Sequence, residues 1–312
     1  MSSVSVVIPT YNCSRYISET LNSILRQGAA DLEIIVIDDG STDDTCAIAR
    51  RFGDPVRVIE QSNAGVCAAR NHGIREAHGE FIALVDHDDY WQPNKLANQL
   101  AAFADNPQVD VVFTDFVWWR QDDAGAFPAP ADYLPRAAAQ GVDDDFSGWI
   151  YHQMLLDSWV LTSTALARTA VVVAQAGFDE ALPYSEDWDF WLRVSRSSQF
   201  LKLREATTLY RQHSAQGSRV IRPIDYRTRL LETAAERWGL CSQDGRCVAA
   251  ERFRRQLAIY CAEFGLGHLK GGVGASRAIA ARAFLKAWSI DRSYWRSLAY
   301  LAVTPFGWKP GW

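Results

Sequence analysis

The 312-residue chain is 48% hydrophobic and 22% charged, the make-up of a soluble globular protein with ample core, which excludes disordered and fibrous classes. Its formal net charge of −5 conceals a division: from Gly245 onward eleven Lys and Arg face three Asp and Glu, against 21 and 34 before that point. A basic final segment points to an anionic partner, but the acidic body and the lack of any nucleic-acid module exclude nucleic acid.

Val4 to Pro9 reads as a short apolar strand, followed by a loop from Thr10 to Ser14. A helix from Arg15 to Gln27 carries Ile17, Leu21, Ile24 and Leu25 on one face. Glu33 to Asp38 is a second strand; it ends in Asp38-Asp39-Gly40-Ser41-Thr42-Asp43, a turn that enters a helix near Thr42. A third strand, Val56 to Glu60, leads through Asn63-Ala64-Gly65 into a helix over Val66 to Ala77. An apolar strand from Phe81 then stops abruptly at Asp86-His87-Asp88-Asp89.

Strands alternating with helices at this spacing predict an α/β fold with a mostly parallel, doubly wound sheet, whose ligands bind at the carboxyl ends of the strands. Two aspartates at i and i+2 on such an end can place oxygen ligands on Mg²⁺ or Mn²⁺, with substrate phosphates completing the shell. A solvated Asp-rich turn gives the same D-x-D pattern, so the motif needs support from the rest of the chain. No G-x-G-x-x-G follows the first strand and no G-x-x-x-x-G-K-[ST] occurs, which disfavours a dinucleotide dehydrogenase and a P-loop nucleotidase.

Val109 to Asp115 predicts a further strand. Trp118, Trp119 and the Pro/Ala/Asp-rich stretch to Asp145 read as an irregular loop, a common carrier of function. A strand over Trp159 to Leu166, a short helix from Arg168, a turn at Gly177-Phe178-Asp179, the cluster Ser185-Glu186-Asp187-Trp188-Asp189 and a strand over Phe200 to Tyr210 follow. Helices are expected at Ile224 to Trp238, Arg246 to Phe264, Ala275 to Trp288 and Ser293 to Val303, a helical appendage. The predicted domains are 1–222 and 223–312.

The six cysteines form no C-x-x-C pair or zinc spacing, so reduced thiols are expected. No leader precedes Val4, and no apolar stretch reaches the ~20 residues of a membrane span, the nearest being Ser297 to Phe306. A cytoplasmic location is the expectation.

Taken in order, Val6-Val7-Ile8-Pro9-Thr10-Tyr11-Asn12, Ile37 to Asp43, Asn63-Ala64-Gly65 with Ala69-Arg70-Asn71, Asp86-His87-Asp88-Asp89, Glu186-Asp187-Trp188-Asp189 and Tyr210-Arg211-Gln212-His213 resemble family 2 glycosyltransferases with the GT-A fold. The resemblance covers Val4 to Ser218. It implies inverting sugar transfer from a nucleoside diphosphate sugar, UDP-sugar favoured, to a hydroxyl of a glycan or lipid-linked acceptor in cell-surface polysaccharide synthesis.

It also implies roles. Pro9 and Tyr11 would flank the donor base and Asp39 would accept from its imide N–H. Arg70 would reach the pyrophosphate or support the aspartate cluster. Asp86 would hold the ribose or a metal-bound water, while Asp88 and His213 would bind Mn²⁺ or Mg²⁺. Asp187 would be the general base, with Glu186 and Asp189 as competitors, since carboxylates also favour a helix N-terminus. Trp118 and Trp119 are the acceptor-stacking candidates and Arg120 to Ser147 the acceptor loop, whereas Trp188 and Trp191 read as core. The Q-x-x-R-W signature of processive synthases is absent after His213, which favours single addition.

The tail, with Arg252, Arg254, Arg255, Arg277, Arg282, Lys286, Arg292 and Arg296 beside Phe284, Trp288, Tyr294, Trp295 and Tyr300, suits the inner membrane surface or a protein partner. Two rival functions stand beside transfer. A non-catalytic nucleotide-sugar binder has no need of the base. A nucleotidyltransferase lacks its Gly-rich phosphate loop here.

Overall fold

The computed structural model describes residues 3–29, 31–133, 140–213, 216–217 and 220–306. Residues 134–139 of the expected acceptor loop, and Ser218 where the resemblance ends, lie outside them. The chain divides into two compact units, Met1–Ile150 with Ser158–His213, and Tyr151–Asp157 with Ser214–Trp312.

In the first unit the opening half alternates as read: β1 (Val4–Thr10), α1 (Ile17–Leu25), β2 (Leu32–Asp38), α2 (Thr45–Arg50), β3 (Val56–Glu60), α3 (Val66–Glu76) and β4 (Phe81–Leu84). β1 is buried along its whole length, as a parallel strand covered on both faces must be, hence its unbroken apolar run. α1 seals one face with Ile17, Leu21 and Ile24, whose spacing puts them on one side of the helix. Two elements escape the sequence reading: β5 (Tyr90–Trp91) and α4 (Lys95–Asp105).

β6 (Val111–Arg120) runs through Trp118 and Trp119, so these residues belong to a strand and not to the loop expected there. Register with its parallel neighbour extends it that far, Trp118 pairing Tyr210 and Trp119 pairing Arg211. The predicted strand at Trp159 to Leu166 is also corrected. Thr162–Thr164 is a buried 3-10 turn, and only Leu166–Arg168 forms a strand.

After α5 (Tyr151–Met154), which lies in the second unit, come β7 (Leu166–Arg168), α6 (Thr169–Ala174), α7 (Glu186–Val194) and β8 (Phe200–Gln212). The eight strands make one sheet in the order β3-β2-β1-β4-β7-β6-β8-β5. β1, β2, β3 and β4 are mutually parallel, as are β6 and β8, whereas β7 and β5 pair antiparallel.

α3 lies so close to β1 that a Cβ on Gly73 would stand 2.2 Å from Val7 Cγ1. Gly73→Ala is expected to destabilise the protein by about 1–3 kcal/mol, because a close-packed interface cannot absorb an extra methyl without shifting backbone. Equilibrium urea unfolding measures this; an unchanged midpoint would show that α3 rides off the sheet freely.

The second unit holds α8 (Tyr226–Trp238), α9 (Ala250–Lys270), α10 (Arg277–Ile290) and α11 (Arg296–Val303). Asp225 caps α8 through Thr228 N, and Ser276 caps α10 through Ile279 N. Phe284 of α10 packs over Gly265 of α9, where a Cβ would come within 2.7 Å of the ring, and joins Ala258, Cys261, Ala262, Ala280 and Ala287 in a core of its own. Several tail cations are paired within the unit: Arg255 with Asp291, Lys286 with Glu232 and Arg254 with Glu251.

The reading of all cysteines as reduced is corrected as well. Cys241 and Cys247 form a disulfide across a hairpin turned at Asp244-Gly245, where Ser242 N donates to Arg246 O over 2.8 Å. Opposed positions of a hairpin bring the two Cα atoms to 4.0 Å, a geometry that a search for C-x-x-C and zinc spacing passes over. Among the described residues no helix is long and apolar enough to cross a membrane.

Candidate active site

The parallel register aligns strand ends: Thr10 pairs Asp38, Asp38 pairs Glu60, and Val7 pairs Leu84. Tyr11, Asp39, Gln61 and Asp86 therefore leave the sheet at one edge, where ligands of open α/β sheets bind. The loop after β1 is tied to the turn after β2. Asn12 N donates to Ser41 Oγ, Asn12 Oδ1 accepts from Thr42 N, Cys13 N donates to Thr45 Oγ1 and Ser14 N to Asp43 Oδ2, at 2.7 to 3.1 Å.

Pro9 is buried within β1 opposite Ile37, so of the expected base-flanking pair Tyr11, 46% exposed, has a surface to offer. Asp39 is buried and braces the turn before α3. Its Oδ1 accepts from Gln61 Nε2 and Ala64 N, and its Oδ2 from Gly65 N, each at 2.8 Å. Among the described residues Gly65 N is the donor to Oδ2, which has the capacity to accept a second.

Arg70, on α3, is buried and forms a hub. One amino group donates to Asp86 Oδ1 at 2.7 Å, the other to Glu186 Oε1 at 3.0 Å, and Phe178 lies under the guanidinium at 5.1 Å. Of its two expected roles, support of the acidic cluster is the one that its fork performs here. The neighbouring Asn71 pins the turn that leads toward α7: its side chain accepts from Phe178 N at 2.7 Å and donates to Phe178 O and Glu180 Oε1 at 2.9 Å. Gly177 (φ +81°) permits this approach, since a Cβ there would stand 2.3 Å from Asn71 Oδ1.

α7 opens with the three competing carboxylates, and their partners separate them. Glu186 is engaged by Arg70. Asp189 is held by Arg193 at 2.8 Å, and that arginine also donates to Gln175 O and Gly177 O. Asp187 accepts from Trp188 N at 2.7 Å and, among the described residues, has no arginine hydrogen-bonded to it. Burial, then the negative charge of Glu186, push its carboxyl up to about 6, against the opposing pull of Arg70. Trp188 and Trp191 are buried in the core as expected.

Asp88, in the turn between β4 and β5, and His213, just after β8, come together, with Asp88 Oδ2 to His213 Nε2 at 2.7 Å and both side chains nearly buried. Burial raises the Asp88 carboxyl, but the His213 hydrogen bond and the nearby imidazoles outweigh it and hold it below the usual carboxylate range. Asp89 is fully buried and pushed well up by that burial and by the charges of Asp88 and Asp86. A carboxylate and an imidazole at hydrogen-bonding distance are a donor set that suits Mn²⁺.

Residues outside the sequence expectations complete the site. Ser163 Oγ accepts from Asp86 N at 3.0 Å, and Ser163 O accepts from Trp91 Nε1 at 2.9 Å. Arg211 donates to Asp88 O at 2.7 Å. Trp119, an acceptor candidate in the sequence, is 1% exposed with Arg211 stacked on it, so Trp118, 48% exposed, alone of the pair can meet a ligand. Nothing in the Ser163 sequence context marks it, whereas Arg211 lies within the Tyr-Arg-x-His run.

The site thus combines an open sheet, acidic clusters at its strand ends and one acid among them held high. The model of the glycosyl transferase family 2 domain matches residues 5–139 of the chain. A Rickettsia typhi glycosyltransferase is 32% identical over 215 residues, 68% of this chain and 65% of that protein, so the matched region spans less than two thirds of the relative. The fold is shared with S. aureus TarS 1–349, solved in complex with UDP-GlcNAc (TM-score 0.61, 22% identity, 98% of this chain and 88% of that one). It is shared also with the mannosyltransferase PcManGT of Pyrobaculum calidifontis, solved with GDP-Man and Mn²⁺ (TM-score 0.57, 19% identity, 98% and 86%).

Proposed function

We propose that this chain transfers a sugar, with inversion, from a nucleoside diphosphate sugar to a hydroxyl of a glycan or lipid-linked acceptor, by single addition, in cell-surface polysaccharide synthesis. The observation that carries the reading is Asp187, which, unlike Glu186 and Asp189, is hydrogen-bonded to no arginine among the described residues and is poised to accept a proton near neutral pH. In this reading the Asp187 carboxylate takes the acceptor hydroxyl proton as that oxygen bonds to the anomeric carbon. The bond from that carbon to the diphosphate oxygen breaks, and its electron pair leaves with the nucleoside diphosphate.

Arg70 keeps Glu186 and Asp86 in place around the base. Tyr11 and Asp39 Oδ2 meet the donor base, and Asp86 lies at the ribose side. Asp88 and His213 would hold Mn²⁺ or Mg²⁺, which when bound offsets the charge on the departing diphosphate. A UDP-sugar is the first choice of donor, supported by the UDP-GlcNAc complex of TarS, and a GDP-sugar the second, supported by the GDP-Man complex of PcManGT. The cytoplasmic membrane surface is the proposed workplace, supported by exposed Leu285, Trp295 and Leu298 among Arg282, Arg292 and Arg296 in the tail.

Release of nucleoside diphosphate from UDP-, GDP- and dTDP-sugars, with Mn²⁺, Mg²⁺ or chelator, tests the proposal. Release from one donor, dependent on the cation and lost in Asp88→Ala, is expected. Donor binding by calorimetry with no release in the presence of candidate acceptors would favour the non-catalytic binder, and release of pyrophosphate from a nucleoside triphosphate the nucleotidyltransferase.

A further inference from the structure

We propose that Arg211 is a positioning residue for the divalent cation, setting the Asp88 carboxylate through the main chain that carries it. The inference rests on the reading above that Asp88 and His213 hold that cation. The ladder between β5 and β8 is only two pairs long, Tyr90 with Leu209 and Trp91 with Thr208. Beyond it, Arg211 takes over the joining of the two segments. Its backbone N–H donates to Asp89 Oδ1 at 3.2 Å, and its Nε donates to Asp88 O at 2.7 Å.

The far end of the same side chain is fixed from other elements. An amino group of Arg211 donates to Glu19 of α1 at 2.6 Å, and the guanidinium carbon lies 3.9 Å from the Trp119 ring centre, 4.6 Å from Tyr16 and 4.7 Å from Phe127. Tyr16 also packs on His213, their ring centres 4.9 Å apart. One aromatic cage therefore touches both halves of the Asp88 and His213 pair, through Arg211 on one side and directly on the other.

A guanidinium 2% exposed is a costly filler, and an apolar side chain would suit three aromatic rings as well. What an apolar residue cannot do is donate to the carbonyl of Asp88. Groups that orient metal ligands from behind typically change metal affinity 10- to 100-fold when removed. A cavity of about 280 Å³ borders Arg211, Glu19, Tyr16 and Phe127, so the shorter lysine of Arg211→Lys is accommodated with its cation on the same rings.

The test is Mn²⁺ titration of the full chain followed by electron paramagnetic resonance, alone and with UDP. It is run on wild type, Arg211→Lys and Asp88→Ala, with metal-free UDP affinity measured in parallel. Arg211→Lys is expected to bind Mn²⁺ about 10- to 100-fold more weakly, with metal-free UDP affinity unchanged, a split that general damage to the fold would not give. Wild-type Mn²⁺ affinity in Arg211→Lys overturns the proposal while leaving the site reading intact. Wild-type affinity in Asp88→Ala, or no binding by wild type, overturns the site reading and the proposal with it. Should Arg211→Lys fail to fold by circular dichroism, Glu19→Ala, which removes the acceptor at the far end of Arg211, is expected to weaken Mn²⁺ binding in the same direction, and an unchanged affinity there counts against the proposal.

Discussion

Asp187→Asn is expected to lower turnover by about two to four orders of magnitude, the usual worth of a positioned general base, while donor affinity stays within about twofold. Asparagine keeps the shape and can still accept from the Trp188 N–H, so the start of α7 is preserved. Only the capacity to take a proton goes. Steady-state kinetics with calorimetric donor binding read the two effects separately, and equal losses in turnover and donor affinity would count against a base.

The same substitution carries a stability signature of opposite sign. The carboxyl sits at about 6 in the native protein and at its ordinary value, 3.8, when unfolded. The native state thus favours the protonated acid. That contribution is fully present below the unfolded value and is lost as pH rises through the window from the unfolded to the native value. At pH 8 the wild type therefore holds an unfavourable carboxylate, and Asp187→Asn is expected to be more stable by about 1–3 kcal/mol, toward the lower end because part of the residue is open to water. Below about pH 4 the advantage vanishes. In wild type kcat/KM should rise with pH through a limb near 6 as the base ionises; a flat profile there would move the base elsewhere.

What sequence made legible was the part of the fold where one signal dominates. β1, β2 and β4 are parallel and largely buried, so their apolar runs stand out, and each leads into the polar cluster that forms the site edge. α4 escapes the sequence reading although Leu96, Ala102 and Phe103 form a buried stripe; on the same face Lys95 and Gln99 bond each other and Thr164 O in the core, a use of polar side chains that a search for apolar positions does not show. Thr162–Thr164 was misread because a buried 3-10 turn has the apolar flanks of a strand, while its actual work is to receive Asp86 N on Ser163. Tyr11, Asp39, Asp86, Asp88, Asp187 and His213 could be put forward as candidates because a resemblance supplied their order. The division of labour among Glu186, Asp187 and Asp189 could not, since it depends on which carboxylate Arg70 and Arg193 reach in space.

Arg70→Met is expected to be the most damaging single change to the protein's stability, with a loss of about 3–5 kcal/mol at pH 8. Methionine can fill the space over Phe178, so little of this is packing. The cost is electrostatic: Asp86 and Glu186 lose the fork that both share, and Asp187 loses the one nearby charge that restrains its carboxyl. Removing one partner of a buried ion pair leaves the others uncompensated, which costs more than the pair itself contributes. With that restraint gone the Asp187 carboxyl moves further up from about 6, so stability is lost mainly at high pH and partly recovered at pH 5, where Asp187 is protonated. Urea unfolding at pH 8 and pH 5 measures this, and Arg70→Lys, which keeps the charge but not the fork, should fall between wild type and Arg70→Met at pH 8. A loss below about 1 kcal/mol, or one independent of pH, would mean that the acidic cluster does not need Arg70, because an uncompensated buried pair costs several times that.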